Sequence, residues 1–185
     1  MEHLNETDLI RRVLDGEPRA FPVLINRYQH PVHSLIRQII PGREDAEELT
    51  QDVFVKAFKS LSSFRGGSSL STWLYRIAYN AAISFTRKKK MLYPDFDERV
   101  LNNIADETVD ELLDRESDEE LMRRMEAAVE RLRPEDKALI SLYYTQDKSV
   151  SELAAITALT PENVKIKLFR ARKKIVFLIN NEKHE

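Results

Sequence analysis

Between Ser71 and Lys90, Arg76, Asn80, Ser84 and Arg87 recur at helical spacing, so one helix carries them along one polar face. Tyr75 and Tyr79 form an adjacent aromatic strip, and Arg87, Lys88, Lys89 and Lys90 follow as a basic run. Rings, amides and cations side by side suit an unstacked single strand of DNA. Bases stack on the rings, amides read their edges, and the cations hold the backbone. Phe64-Arg-Gly-Gly-Ser-Ser precedes this helix as a polar, donor-rich loop able to close over an extruded base. Trp73 fits a core position at least as well as a stacking role, and Tyr75 and Tyr79 fit either.

A second constellation runs from Ser149 to Arg172. Leu153, Ala154 and Ile156 on a short helix face Val164 and Leu168 on the next, across the turn Ala158-Leu159-Thr160, as in a helix-turn-helix. Thr160 is the expected N-cap, with Pro161 at the first helical position and Glu162 in the first turn. Lys165, Ile166, Phe169 and Arg170 share the opposite face, and such a helix fits the major groove. The plainer alternative is a helical hairpin with a solvated basic face. Ala158 stands where glycine is commoner.

A third group is acidic. Asp45, Glu48 and Asp52 share one helical edge, with Gln51 beside them, and face a basic partner or simply solvent. No second carboxylate or histidine cluster converges on them, so the expectation is no catalytic residue. His30 and His33 stand three apart without an evident third ligand, so a surface or half-buried pair is expected, with no metal and no cofactor. His3 and His184 sit near the ends. The four glycines include neither G-x-G-x-x-G nor G-x-x-x-x-G-K-[ST], and zero cysteine excludes disulfides, thiolate zinc sites and thiol catalysis. No apolar run approaches membrane-span length and no basic-then-apolar leader is evident, so a soluble, unexported chain is expected.

These groups need elements to position them. Ala46, Leu49, Val53, Ala57 and Leu61 make one apolar stripe, and Leu70, Leu74, Ile77, Ala81 and Phe85 another, the latter capped by Ser68 or Ser69. Pro18 to Ile40 reads as an earlier helix ended by Pro41-Gly42, with Pro31 inside it as an expected kink. Further helices are expected near 117–131, 135–145, 150–157 and 161–180, the second opened by Pro134 with Glu135 and Asp136 in its first turn. No period-2 strand of useful length occurs.

Charge divides the chain. Its 185 residues carry a net charge of only −2. Yet from Arg65 to Leu92 six basic residues and no acid give +6, and from Tyr93 to Glu120 twelve acids against Arg99 and Arg115 give −10. From Pro161 onward seven basic residues against three Glu give +4. Two basic blocks around an acidic one form the pattern of a polyanion-binding footprint. The acidic stretch opens with Pro94 and is poor in large apolar residues, so it reads as a flexible linker, with a transient helix at Val109-Asp-Glu-Leu-Leu. The expected fold is all-α: an N-terminal helical bundle (1–92), an acidic linker (93–115) and a helix-turn-helix domain (116–185). The linker acids are expected to compete with DNA for the two basic modules.

These motifs resemble bacterial RNA polymerase sigma factors of the extracytoplasmic-function type, over nearly the whole chain. Glu17-Pro-Arg-Ala-Phe with Tyr28 is similar to the start of region 2. Asp45-Ala-Glu-Glu-Leu-Thr-Gln-Asp-Val-Phe resembles its core-binding helix, and Ser71-Thr-Trp-Leu-Tyr-Arg-Ile-Ala-Tyr-Asn its promoter-melting segment. Leu132-Arg-Pro-Glu-Asp-Lys, the helix-turn-helix and Arg170-Ala-Arg-Lys-Lys resemble region 4.

The resemblance implies a cytoplasmic, non-enzymatic initiation factor. Glu48, Gln51 and Asp52, with Asp45 nearby, would meet the β′ clamp coiled coil of core polymerase, whose β flap is a second expected contact. Asn80, with Phe64 and the loop after it, would capture a flipped −10 base, while Arg76, Arg87, Lys88 and Lys89 hold the opened strand. Lys165, Ile166, Phe169 and Arg170 would read the −35 element. The linker would thread toward the RNA exit path, and an anti-sigma factor is implied as a further partner. Ser84 stands where the family usually has Asp, and Ile166 where a small polar residue is common. An autonomous helix-turn-helix regulator with an N-terminal sensor bundle, and a helical protein adapter, are the alternatives.

Overall fold

The computed structural model describes residues 5–89, 93–104 and 119–181. Within them the chain is built from helices and connecting turns, without a strand. The N-terminal module holds α1 (Glu6–Leu14), α2 (Ala20–Ile39), α3 (Arg43–Ser60) and α4 (Leu70–Lys88). A short α5 (Glu98–Asn102) follows, then α6 (Glu119–Glu130), α7 (Pro134–Ile140), α8 (Val150–Thr157) and α9 (Pro161–Asn181). The Val109–Leu113 segment, Lys90, His3 and His184 lie outside the described residues.

Local chemistry accounts for most boundaries. Ser69 caps α4 by accepting from the Thr72 backbone N–H at 3.2 Å, which selects it over Ser68. Pro134 opens α7 with Glu135 and Asp136 in its first turn, where carboxylates suit the helix dipole. α2 begins two residues after Pro18 and continues through Pro31 as one element. Residues 141–145, expected as the end of α7, wind into a π turn instead.

Two features depart from the sequence expectation. The first is α1, which periodicity over a wider window overlooked. Its signals are short-range: Asn5 as cap, Glu6 and Asp8 in the first turn, Arg11 and Arg12 in the last, and Leu9 and Val13 buried at i, i+4. The second is the start of the linker. Phe96 packs edge-on against Phe177 of α9 at 6.1 Å, with the Lys174 ammonium 5.4 Å from its ring centroid. Arg133 donates to Asp95 at 2.9 Å, and Leu101 is buried. This part of the segment is thus docked on α9 through Phe96, while Asp95 is engaged by Arg133 at the start of α7. The acids between 105 and 118 lie outside the described residues.

The two modules pack directly on one another. α8 lies along α4, and α7 sits against α2 and α4, so their buried apolar side chains join in one core. This changes the reading of α4. Its buried positions are Leu70, Thr72, Leu74, Tyr75, Ala78, Tyr79, Ala82, Ile83 and Thr86, so Leu70 and Leu74 of the expected inward stripe are buried, whereas Ile77, Ala81 and Phe85 are only partly so. α4 is covered from two sides, by its own bundle and by the C-terminal module, and periodicity specifies a face without saying how many neighbours cover it.

Candidate nucleic-acid interface

Arg76, Asn80, Ser84, Arg87, Lys88 and Lys89 are all exposed along α4. The helix therefore presents the expected polar line, ending in a basic last turn. Phe64 is half-buried with its ring 5.5 Å from that of Trp73, which anchors the 64–69 loop to the first turn of α4. Gly66, at φ +70, supplies the left-handed residue the loop needs. Trp73 is itself partly buried against the core, in keeping with the core position expected of it.

Tyr75 and Tyr79 are not on a solvent strip: they retain 4% and 9% of their exposure. The Tyr75 hydroxyl donates to the Gln146 side-chain carbonyl at 2.7 Å. Burial pushes its pKa up to about 12. Burial does the same for Tyr79, to about 12, with Glu135 and Asp136 adding to the rise. The polar line therefore stands without its aromatic neighbour while the C-terminal module is docked.

Two of the basic groups, Lys89 and Arg87, have carboxylate partners. Lys89 Nζ donates to Asp45 Oδ2 at 2.7 Å and lies 4.7 Å from the Phe85 ring centroid. Arg87 approaches Glu135 of α7 at 3.7 Å. Asp45 thereby stands apart from Glu48, Gln51 and Asp52, which are exposed on α3. Two apolar residues missed by the sequence reading continue that exposed edge: Val55 and Phe58, 52% and 54% exposed. Phe58 meets Phe21 of α2 at 4.7 Å between ring centroids. The available signal was phase, because Val55 and Phe58 follow Glu48 and Gln51 by seven residues and fall off the Ala46–Val53–Ala57 stripe. Exposed aromatic and branched side chains beside carboxylates suit a protein surface better than a polyanion.

The helix-turn-helix forms through its own caps. Ser149 and Glu152 complete a capping box on α8, and Thr160 Oγ1 accepts from the Asn163 N–H at 3.2 Å. Ala158 ends α8 in the left-handed region at φ 58 and ψ 32, so the turn takes its usual geometry without the usual glycine. Leu153, Ile156, Val164 and Leu168 are buried between the two helices. Lys165, Ile166, Phe169 and Arg170 lie exposed along one face of α9, and Lys173 Nζ sits 4.6 Å from the Phe169 ring centroid. Two large apolar side chains on a cationic face match the mixed needs of base edges, thymine methyls and phosphates.

The seam between modules is polar at its rim. Thr72 Oγ1 donates to Glu152 Oε1 at 3.2 Å, and Lys148 Nζ donates to Ser71 Oγ at 3.2 Å and to Glu152 Oε1 at 3.1 Å. Burial alone raises the Glu152 pKa. The Ser149 N–H and hydroxyl and the Lys148 ammonium outweigh it, leaving the carboxyl below its ordinary value. His33 Nδ1 lies 3.1 Å from Thr50 Oγ1, which itself donates to the Ala46 carbonyl, so this histidine ties α2 to α3. Among the described residues no three His, Cys, Asp or Glu side chains converge as a metal site, and no helix is long and apolar enough to cross a membrane.

Known proteins match this arrangement in order. The sigma-70 region 2 family matches residues 24–91 and the sigma-70 region 4 family residues 122–175. The chain is 35% identical over 181 residues to the ECF RNA polymerase sigma-E factor of Escherichia coli K12, covering 94% of each. It is 33% identical over 176 residues to the RNA polymerase sigma-H factor of Pseudomonas aeruginosa, covering 92% of this chain and 91% of that one. Among solved structures, CnrH in complex with the cytosolic domain of CnrY shares the fold at TM-score 0.67 and 23% identity, over 94% of this chain and 96% of that one. Sigma factor RpoE of Bartonella quintana, solved with the anti-sigma factor NepR, does so at TM-score 0.62 and 20% identity, over 86% of this chain and 96% of that one. An exposed basic line on one helical module, a helix-turn-helix on the next, and these matches in the same order make the chain a member of the extracytoplasmic-function group of sigma-70 RNA polymerase sigma factors.

Proposed function

We infer that the chain binds core RNA polymerase and directs initiation at chosen promoters, as a specificity subunit and not as a catalyst. The observation carrying this reading is that two exposed cationic helix faces, on α4 and α9, belong to separate modules. One face suits an opened strand and the other a duplex groove. Asn80 and the Phe64 loop would take the flipped −10 base, and Arg76, Arg87, Lys88 and Lys89 the strand backbone. Lys165, Ile166, Phe169 and Arg170 would read the −35 duplex. Glu48, Gln51 and Asp52, joined by Val55 and Phe58, would dock on the polymerase clamp, with Asp45 shaping the α3–α4 corner. The β flap remains a proposed second contact on polymerase.

In this reading residues 1–92 form the −10 and polymerase module and 116–185 the −35 module. The 93–115 segment is a tether whose first part docks on α9. The site of action would be the cytoplasm, and an anti-sigma protein would be a further partner; the Bartonella protein of similar fold was solved with one. An autonomous helix-turn-helix regulator is disfavoured by the region 2 match.

Core polymerase should be retained by the tagged chain, and run-off transcription from a promoter library should begin at new start sites when it is added. Duplex binding by the chain alone, with no effect on polymerase, would overturn the reading.

A further inference from the structure

We propose that Ile166, at the crown of α9, reads the C5 methyl of a thymine and that Asn163 beside it reads an adenine. The duplex element chosen by this chain then carries A·T pairs at both contacts. The inference rests on the assignment of α9 to the −35 duplex and deepens it by naming the bases.

Helix phase places Ile166. At about 100° per residue, the buried Val164, Leu168, Ala171 and Ile175 centre on one side of α9, and Ile166 lies diametrically opposite them. Lys165 and Lys167, both exposed, stand about 100° to either side of it. A helix seated in a major groove about 12 Å wide turns its crown to the base edges and its flanks to the two phosphate walls. The lysines are thus set for the walls and the isoleucine for the floor. Asn163 and Arg170 border that crown, three residues before Ile166 and four after it.

Ile166 has no task inside the fold. It is 48% exposed and lies outside the hydrophobic core, which Phe177 further along the same helix packs against. Its surroundings are cationic: between 161 and 174 six Lys or Arg stand against Glu162 alone. That charge fits a polyanion better than the apolar groove of a protein. A side chain with neither donor nor acceptor, facing the floor of the groove, has one specific partner among the base edges. That partner is the thymine methyl.

The cap places Asn163. Thr160 Oγ1 accepts the Asn163 backbone N–H at 3.2 Å, so the main chain makes the turn and the residue stays exposed in the first turn of α9. Residues at the start of a recognition helix reach base edges, and a side-chain amide pairs with adenine N6 and N7. The two neighbours therefore select the same base pair by different chemistry.

The test uses the full chain with core polymerase and a promoter library randomised across the −35 element. Promoters retained by the complex are sequenced, and A·T pairs should be enriched in that element. In one selected promoter each −35 thymine is replaced singly by deoxyuridine, which removes only the methyl. Each adenine is replaced by 7-deazaadenine, which removes only the N7 acceptor. At one thymine or more, the uracil form should bind about fourfold more weakly, the worth of one buried methyl. Ile166→Ser should abolish that difference and Ile166→Val should keep it. Asn163→Ala should likewise abolish a loss seen with 7-deazaadenine.

Thymine and uracil bound equally at every position overturns the reading of Ile166, as does a thymine preference that survives Ile166→Ser. A 7-deazaadenine loss that is absent, or unchanged by Asn163→Ala, overturns the reading of Asn163. Weaker retention of polymerase itself by Ile166→Ser would make the crown a protein contact and also overturn the proposal. A chain that directs no initiation at the selected promoters would count against the function assigned above. The same base replacements, measured on duplexes bound by the full chain alone, would still decide the base reading.

Discussion

Arg87 near the end of α4 and Glu135 in the first turn of α7 face one another across the module boundary at 3.7 Å. One belongs to a basic run, the other to a helix start, and 48 positions separate them. At 75% and 35% side-chain exposure the pair holds little energy. Its significance is directional, since it aims an acid at a residue proposed to hold the DNA backbone.

On α9, Arg170→Ala separates base reading from phosphate contact. A base-edge contact should cost about 1–3 kcal/mol on a matched −35 duplex and much less on a mismatched one. Fluorescence anisotropy on both duplexes at fixed salt checks this. Equal losses would assign Arg170 to the backbone, with a salt slope reduced by about one.

Phe58→Ala should cost the fold only about 1 kcal/mol, because Phe58 is 54% exposed and the change forfeits mainly its ring contact with Phe21. Affinity for core polymerase should fall by about 2 kcal/mol, the scale of an aromatic anchor in a protein interface. Thermal melting and polymerase titration measure the two effects separately. Unchanged affinity would remove Val55 and Phe58 from the docking edge.

Ala158→Gly should stabilise the helix-turn-helix. Ala158 sits at φ 58, where a Cβ costs about 1 kcal/mol that glycine does not incur. The gain is partly offset by glycine's looser unfolded chain. Urea unfolding should show a rise of several tenths of a kcal/mol, and a fall would indicate that the Ala158 methyl supports packing.

Acid should loosen the seam through Glu152. Its carboxyl is held below the ordinary 4.5 by Ser149 and Lys148, despite burial, with Thr72 donating from the facing helix. A depressed folded value means the stabilisation is present above the unfolded pKa and is lost as pH falls through the folded one. Small-angle scattering from pH 7 downward should show expansion beginning below about pH 4.5. Glu152→Gln should be looser at neutral pH and less acid-sensitive there. An acid midpoint identical in both proteins would exclude this carboxylate as the cause.

Much of the site was legible because it is written locally. Caps at Ser69 and Thr160, the Pro134 and Pro161 starts, and the exposed faces of α4 and α9 all follow from contacts within a few residues and the 3.6-residue period. Those rules gave helices, their ends and their polar lines. They also sorted Lys165, Ile166, Phe169 and Arg170 correctly onto the outward face of α9.

What the tertiary structure decided is which face meets which neighbour. The Tyr75–Gln146 and Thr72–Glu152 bonds join residues 71 and 80 positions apart, beyond the reach of any periodic signal. Tyr75 and Tyr79 have the composition of either a stacking strip or a packed seam, and only the position of α8 and α7 selects the seam. Phe96 and Leu101 likewise lie in an acid-rich stretch too sparse to suggest a core, yet α9 supplies the apolar surface they lack. The sequence by itself determined an all-helical chain with two cationic helix faces, because helix phase is local. The closed seam that buries Tyr75 and Tyr79 beside one of them depends on burial between distant segments, and burial is a property of the folded whole.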